Sequence, residues 1–403
     1  MYERIQGNDM YNAGPNIPFS SSVSFNNVEL NNPSTFLASG QTAVAPITVA
    51  SITGLAVNQY KPPVAYQWSA GVQHSLASRT VLAVMYVGNQ SRHQNYYTDI
   101  NLPSQANLIG VMAGTTQRNT VNPYLGFGSI AMSTNGSNAH YNGLQVDLNS
   151  QIKRDLSLRV FYTLSRSIDP AISTGTGSGG SDLTHVSNPY QGWQYDVGRS
   201  GYDRLHNLSF NFIYNLPFMR HSSNALARTL VGGWEFSGIV TIESGTPLNV
   251  TLSGGLPVPN TGQCGNPLTV PSCGNYDQGG NGVGASNRPD KAGAISAPHT
   301  KQQWISASSG FAYPTPGAFG NLGYDTIDGP GRDNWNLSLF KNFVINEARG
   351  SQFELRLETF NTFNHPQING YNTLAWSPGN TSFGQPNSFF DGRIIQLGGK
   401  ISF

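Results

Sequence analysis

The sequence predicts an all-β chain, an antiparallel transmembrane β-barrel segment of about nine to ten strands with short turns at one end and long loops at the other. Three observations carry that prediction. The closing stretch alternates: Phe403, Ile401, Leu397, Ile395 and Arg393 share one face with Gly399, while Ser402, Lys400, Gly398, Gln396 and Ile394 share the other, as side chains of a strand do. Its terminal ring suits an aromatic girdle better than a soluble terminus, which frays unless something holds it. Only 11% of the 403 residues are charged and 11% are aromatic, against roughly 25% charged in ordinary soluble domains. Finally, the connections between alternating runs are short and long by turns.

Residues 5–63 are rich in Asn, Ser, Pro and Gly. Residues 1–63 are expected to be mostly extracellular loop, with short strands near 22–28 and 47–52 and a stub from Tyr2 to Arg4. Strands and loops follow over 64–403. The first strong strand, 64–75, places Val64, Tyr66, Trp68, Ala70 and Val72 on one face, and 80–88 is its return. The polar stretch 89–139 reads as loop. Within 141–152, Leu144, Val146 and Leu148 oppose Gln145, Asp147 and Asn149, and 156–166 aligns Leu156, Leu158, Val160, Tyr162 and Leu164. After a loop at 167–204, strand 205–216 sets Leu208, Phe210, Phe212 and Tyr214 against Asn207, Ser209 and Asn211. Strand 232–243 aligns Trp234, Phe236, Val240 and Ile242. The longest loop, 253–333, precedes strands 334–345 and 351–363, and loop 364–391 leads to the closing strand.

Strands of about nine to twelve residues suit a bilayer. Short turns belong at the periplasmic rim and long loops outside, so the last strand runs inward. Tyr66, Trp68, Tyr141 and Trp335 are expected in an outer aromatic belt, and Tyr214, Phe343 and Phe403 in an inner one.

Composition excludes several function classes. Twenty-two basic against 21 acidic residues leave a net charge of +1, so nothing points to nucleic acid. The longest apolar run, from Val81 to Val87, is far too short for a membrane helix. The opening residues lack the basic start and apolar core of a signal peptide, so an exported protein would have a beginning upstream of them. Cys264 and Cys273 are the two cysteines, too few for a structural zinc site. A disulfide closing an outer loop is the expectation.

Several motifs resemble the Oar-like TonB-dependent receptors of Gram-negative bacteria. They include Tyr66-Gln67-Trp68-Ser69-Ala70-Gly71, Tyr141-Asn142-Gly143-Leu144-Gln145-Val146 and Gly233-Trp234-Glu235-Phe236. More specific are Gly320-Asn321-Leu322-Gly323, Gly329-Pro330-Gly331, Trp335-Asn336-Leu337-Ser338-Leu339-Phe340-Lys341-Asn342-Phe343 and Glu358-Thr359-Phe360-Asn361-Thr362-Phe363-Asn364-His365-Pro366. The resemblance implies a 22-stranded barrel in the outer membrane, with a plug and often a carboxypeptidase-regulatory-like β domain ahead of it. Residues 1–403 would be the carboxyl-terminal portion of that barrel, with plug and amino-terminal β domain absent from this stretch.

Glu354, Arg356 and Glu358 fall on one strand face and are expected to form a lumen-facing ladder of opposite charges rather than a catalytic pair. Ile395, Leu397, Ile401 and Phe403 form the lipid-facing side of a terminal strand that resembles the signal read by the barrel-assembly machinery. The Gly-rich run from Gly175 to Gly180 lacks the Gly-Lys-Ser/Thr of a phosphate loop, and neither histidine spacing nor a Gly-x-Ser-x-Gly elbow supports an enzyme. No catalysis and no cofactor is expected. The expected partners are outer-membrane lipid, the assembly machinery, an extracellular ligand and, by resemblance, a TonB-type energising complex. The alternative is a surface adhesion protein, with loops that bind a polymer or another cell while the barrel only anchors them.

Overall fold

Where apolar and polar residues alternate, the chain extends and pairs with its neighbour. The computed structural model describes residues 2–4, 50–55, 61–112, 116, 118–170, 184–219, 223–252, 288–315, 318–346 and 351–403. In chain order its strands are β1 (Tyr2–Arg4), β2 (Ala50–Leu55), β3 (Val64–Ala77), β4 (Thr80–Asp99), β5 (Phe127–Lys153), β6 (Leu156–Pro170) and β7 (Thr184–His185). There follow β8 (Val197–Arg199), β9 (His206–Asn215), β10 (Trp234–Glu243), β11 (Pro247–Leu248), β12 (Thr251–Leu252), β13 (Asp290–Lys291), β14 (Phe311–Ala312) and β15 (Ile327–Asp328). The chain closes with β16 (Arg332–Asn346), β17 (Ser351–Phe360), β18 (Ile368–Tyr371), β19 (Ala375–Trp376), β20 (Pro386–Phe389) and β21 (Ile394–Ser402). One sheet runs β1-β3-β4-β5-β6-β9-β10-β16-β17-β21, with β2, β7 and β8 attached at its side. Every pairing along that path is antiparallel. No pairing among the described residues joins β21 to β1. No described helix is long and apolar enough to cross a membrane.

Register turns the alternation of single strands into two continuous faces. One row links Val72, Val84, Val146, Tyr162 and Leu208. Further along the same face, Phe212, Gly238 and Leu337 meet Thr359 and Ile395. This face is apolar and stands open: Val72 is 73% exposed, Leu397 72% and Ile401 62%. Rings pack laterally within it, Phe212 with Phe236 at 5.2 Å and Phe210 with Trp335 at 5.8 Å. A soluble sheet would bury such a surface. In hydrocarbon it needs no cover.

The opposite face carries Gln145, Asp147, Asn149, Arg159, Ser209, Asn211, Ser237, Asn336, Ser338 and Glu354. Two of its apolar intruders are shielded by arginines, with the Arg159 guanidinium 4.3 Å above the Phe161 ring and Arg356 5.6 Å from Phe340. Arg159 also pairs with Asp147 at 2.9 Å. One cation breaks the apolar row. Lys341 lies between Trp234 and Leu355, and it is only 2% exposed. Its ammonium donates to the Gly232 carbonyl and sits 5.0 Å from the Phe343 ring and 5.5 Å from Trp234. That is how a lysine at an inner membrane edge escapes lipid.

The short turns all lie at one end and the long connections at the other. Two sequence expectations need correction. β4 and β5 are 20 and 27 residues long, not nine to twelve, and run through much of the stretch read as loop. Their outer parts mix polar and apolar residues on both faces, so periodicity disappears although the backbone ladder continues from Ser91 with Ala139 to Asp99 with Ala131. Tyr141 does not belong to the outer belt, because it pairs with Asn89 and Ser167 on the polar face. The early strand near 47–52 is found at Ala50–Leu55, and the one near 22–28 lies outside the described residues.

The face assignment is testable at adjacent positions. Val146 pairs with Val84 and Tyr162, and Gln145 with Met85 and Thr163. Val146→Arg should cost about 2–4 kcal/mol near the bilayer midplane and Gln145→Arg far less. Folded yield of the two variants in outer membranes measures it, and equal losses would contradict the assignment.

Candidate functional site

Above the strands, the external connections fold on one another. The turn after β10 pairs with the segment before β16, β11 with β15, and with the connection from β17 to β21, β12 with β19, while β13 with β14 and β18 with β20 pair inside those two connections. Between them lies an apolar core of Val250, Ile305, Phe311, Leu322, Ile327, Trp376 and Phe383. Phe311 meets Trp376 at 5.8 Å and Phe383 edge-on at 5.6 Å. Burial of such side chains stabilises by roughly 1.5–3 kcal/mol each, enough to order connections that would otherwise be loose. These residues carry neither helical nor strand periodicity, and from sequence alone 253–333 and 364–391 read as loop.

Beside that core is a buried polar cluster. Arg288, 1% exposed, donates to Asp196 Oδ1 at 2.9 Å, to the Leu322 carbonyl at 2.9 Å and to the Tyr195 carbonyl at 2.7 Å. Its guanidinium lies 4.0 Å from the centre of the Tyr195 ring. Asp196 Oδ2 accepts from the Ser187 amide at 2.6 Å, so the carboxylate is held on both oxygens. Loss of either partner would strand a buried charge, which typically costs about 3–5 kcal/mol. The Tyr195 hydroxyl donates to the Gly320 carbonyl at 2.5 Å, and burial pushes its pKa up to about 12.

A second, more open cluster ties the platform to the strand ends. Asp203 takes Arg199 at 2.8 Å and Arg166 of β6 at 3.2 Å, and accepts the Ser167 amide at 2.7 Å. Arg199 also reaches Asp328 of β15. Arg204 pairs with Glu243 at the top of β10, 2.8 Å away.

The motifs that carry the family resemblance have physical reasons here. A Cβ on Gly320 would stand 1.9 Å from the Arg288 carbonyl oxygen, a contact only glycine allows. Asn321 next to it exchanges bonds with the Asp290–Lys291 strand, donating its amide to Asp290 at 2.8 Å and accepting from the Lys291 amide at 2.7 Å. Asn361, at φ 48°, receives the His365 amide at 3.0 Å and donates to the carbonyls of His365 and Asp391 at 3.0 and 3.2 Å. It knots the chain where β17 leaves the membrane.

Glu354 stands opposite Lys400, Arg356 opposite Gly398 and Glu358 opposite Gln396, all on the polar face, with Arg356 in contact with Glu354. Ile395, Leu397 and Ile401 of β21 share the apolar face with Thr359, Leu357 and Phe353, and Phe403 beyond them is fully exposed. Cys264 and Cys273 lie outside the described residues, as does the run from Gly175 to Gly180. Arg288, Asp196 and Asp203 escaped the sequence reading, because charges scattered through Gly- and Pro-rich segments carry no spacing signal. No group of potential metal ligands occurs among the described residues.

Asp325 makes the platform sensitive to pH. Burial, with the Asp169 carboxylate beside it, raises its pKa to about 7 against the opposing pull of Arg199 and Arg288. In the unfolded chain the group titrates at 3.8, so between these values the folded platform holds a proton that the unfolded one has lost. Its contribution is therefore greatest below about pH 4, falls as pH rises through the interval, and is gone above about 7. Asp325→Asn should remove this decline while tolerating the backbone φ of 51°, which suits Asn. Thermal opening followed by Trp304 and Trp376 fluorescence at acid and alkaline pH checks it; an unchanged pH slope in the variant would contradict it.

A family model described as an outer membrane beta barrel domain matches residues 1–396. No curated protein matches the sequence. Among solved structures, the outer membrane transporter YddB from Escherichia coli is 8% identical, with a TM-score of 0.42, over 86% of this chain and 33% of that one. The ferric-catecholate import receptor Fiu from Escherichia coli K12 is 9% identical, with a TM-score of 0.37, over 96% and 30%. The FrpB iron transporter from Neisseria meningitidis is 11% identical, with a TM-score of 0.37, over 87% and 32%. The chain thus spans about a third of the length of these structures. With strands, faces and family model in agreement, the chain belongs to the outer membrane beta-barrel domain family and resides in the outer membrane.

Proposed function

We propose that the chain forms the carboxyl-terminal wall and mouth of a TonB-dependent, Oar-like receptor or transporter for an extracellular ligand. The observation that carries this reading is the external platform. A barrel that served only as an anchor would need no buried apolar core and no buried Arg288–Asp196 pair above its strands. The external connections also offer aromatic contacts, with Tyr202 87% and Tyr124 50% exposed. The motif resemblance and the family membership support the same reading.

On this reading the remaining strands and the plug come from the rest of a longer protein, because an unpaired sheet edge is not stable in hydrocarbon. Glu354, Arg356 and Glu358 would face the plug from the lumen wall. Ile395, Leu397, Ile401 and Phe403 would present the terminal strand to the assembly machinery. Cys264 and Cys273 would close an outer loop. Transport would follow from plug displacement driven by the inner-membrane TonB complex.

Formaldehyde cross-linking of the full-length protein in intact cells tests the transport reading against adhesion. A covalent adduct with the TonB protein is expected. An assembled, heat-modifiable barrel that yields no adduct would contradict transport and favour the surface-adhesion alternative.

A further inference from the structure

At the inner rim, the connection from β9 to β10 departs from the tight turns beside it. β3 and β4 are joined by Ser78 and Arg79 alone, and β5 and β6 by Arg154 and Asp155. β9 and β10 are instead joined by residues 216–233, which hold a short helix, Ala225–Val231. Asn224 caps its start, accepting from the Leu226 and Ala227 amides at 3.0 and 3.2 Å. The Gly232 amide closes its end on the Ala227 and Arg228 carbonyls. A helix this short does not hold itself together in water, so its contacts with the wall decide where it lies.

Two contacts place it on the lipid side of that wall. Trp234, in the lipid-facing row, donates its indole N–H to the Leu230 carbonyl at 3.2 Å. Lys341, opposite Trp234 in the same row, donates to the Gly232 carbonyl. Register gives the height. Phe343, stacked on Phe353 with centroids 6.0 Å apart, lies two residues further inward than Lys341, about 7 Å along the strand. The end of the helix is therefore fastened beside the inner aromatic belt, on the outside of the barrel.

What the helix turns outward is apolar on one flank and basic on the other. Leu226 is 72% and Leu230 63% exposed, and Val231, Phe218 and Met219 are exposed as well. At about 100° per residue, Leu226 and Leu230 share one flank of the exposed arc, Arg228 takes the other and Thr229 stands between them. No acidic residue occurs from Leu216 to Gly233, a stretch that carries Arg220, His221 and Arg228. In water such an apolar patch would invite association. At the boundary between acyl chains and headgroups, both flanks find their solvent.

We infer that this helix, with Phe218 and Met219 ahead of it, lies in the inner leaflet of the outer membrane, its leucine flank among phospholipid acyl chains and Arg228 at the phosphates. Two observations select the leaflet as occupant: the patch continues the lipid-facing wall through Trp234, and its charge is opposite to that of phospholipid phosphate. The connection is then an interfacial anchor that holds β9 and β10 at their depth and shelters Lys341, rather than a loop in the periplasm. It rests on the lipid-facing wall alone and would stand if the transport reading failed.

The test uses the full-length protein in phospholipid nanodiscs, which leave both rims open to solvent. A bimane label is placed singly by Leu226→Cys, Leu230→Cys or Arg228→Cys in a Cys264→Ser, Cys273→Ser background, and heat modifiability confirms that each variant is assembled. Phospholipid with a nitroxide near the top of its acyl chain should cause a larger loss of emission at the Leu226 and Leu230 positions than at the Arg228 position. Iodide should give the reverse order. Quenching of the two leucine positions by iodide and not by the lipid nitroxide would overturn the inference, because the helix would then stand in water. So would protection from both quenchers, which would mean that protein, from this chain or a second copy, covers the patch. The unsubstituted parent gives an independent readout: a photoreactive phospholipid should leave adducts within Ala225–Val231, and adducts confined to the strands would contradict the inference.

Discussion

Inside hydrocarbon no backbone amide or carbonyl can turn to water, and most of this chain answers that single constraint. The ten-strand path pairs each spanning segment with its neighbours in an unbroken antiparallel ladder. Once the backbone is satisfied, the side chains have only to choose a solvent. The register collects Val, Leu, Phe and Tyr toward lipid and Asn, Ser, Gln and charged groups toward the lumen. Lys341 shows the limit of that sorting: a cation in the lipid row survives by reaching the Gly232 carbonyl and two aromatic rings.

The spanning sheet has no interior of its own, so the one apolar core among the described residues formed by conventional burial lies in the external connections. That division explains why a membrane wall and a water-facing platform coexist in one chain. The platform stands on Arg288 and Asp196, Arg199 and Asp203, and Arg204 and Glu243. These pairs fasten each connection to a strand end or to its neighbour. A surface held this way keeps its shape while its exposed aromatics meet an external partner.

What could be read from the sequence follows the same physics. Period-two alternation is visible wherever the two faces meet different solvents, so the membrane parts of β3, β6, β9, β10, β16, β17 and β21 were legible, as was the alternation of short and long connections. Above the membrane neither face of β4 and β5 meets lipid, and other segments cover parts of both strands, so the pattern vanishes although the strands continue. Tyr141 was misplaced for a related reason: an aromatic residue near a supposed strand start looks like a belt residue until the register puts it opposite Asn89. The platform core was illegible because its members, from Val250 to Phe383, come from separate segments. The ions were hidden likewise, since Arg288 and Asp196 are 92 positions apart.

The two-solvent sheet is tested most directly by spin labels placed singly from Gln352 to Thr359 in the assembled full-length protein. Collisions with oxygen, which concentrates in lipid, and with a water-soluble nickel chelate report the environment of each site. The lipid signal should peak at Phe353, Leu355, Leu357 and Thr359, and the aqueous signal at Gln352, Glu354, Arg356 and Glu358. A signal without period two, or with the two sets exchanged, would contradict a wall with lipid on one side and a polar lumen on the other.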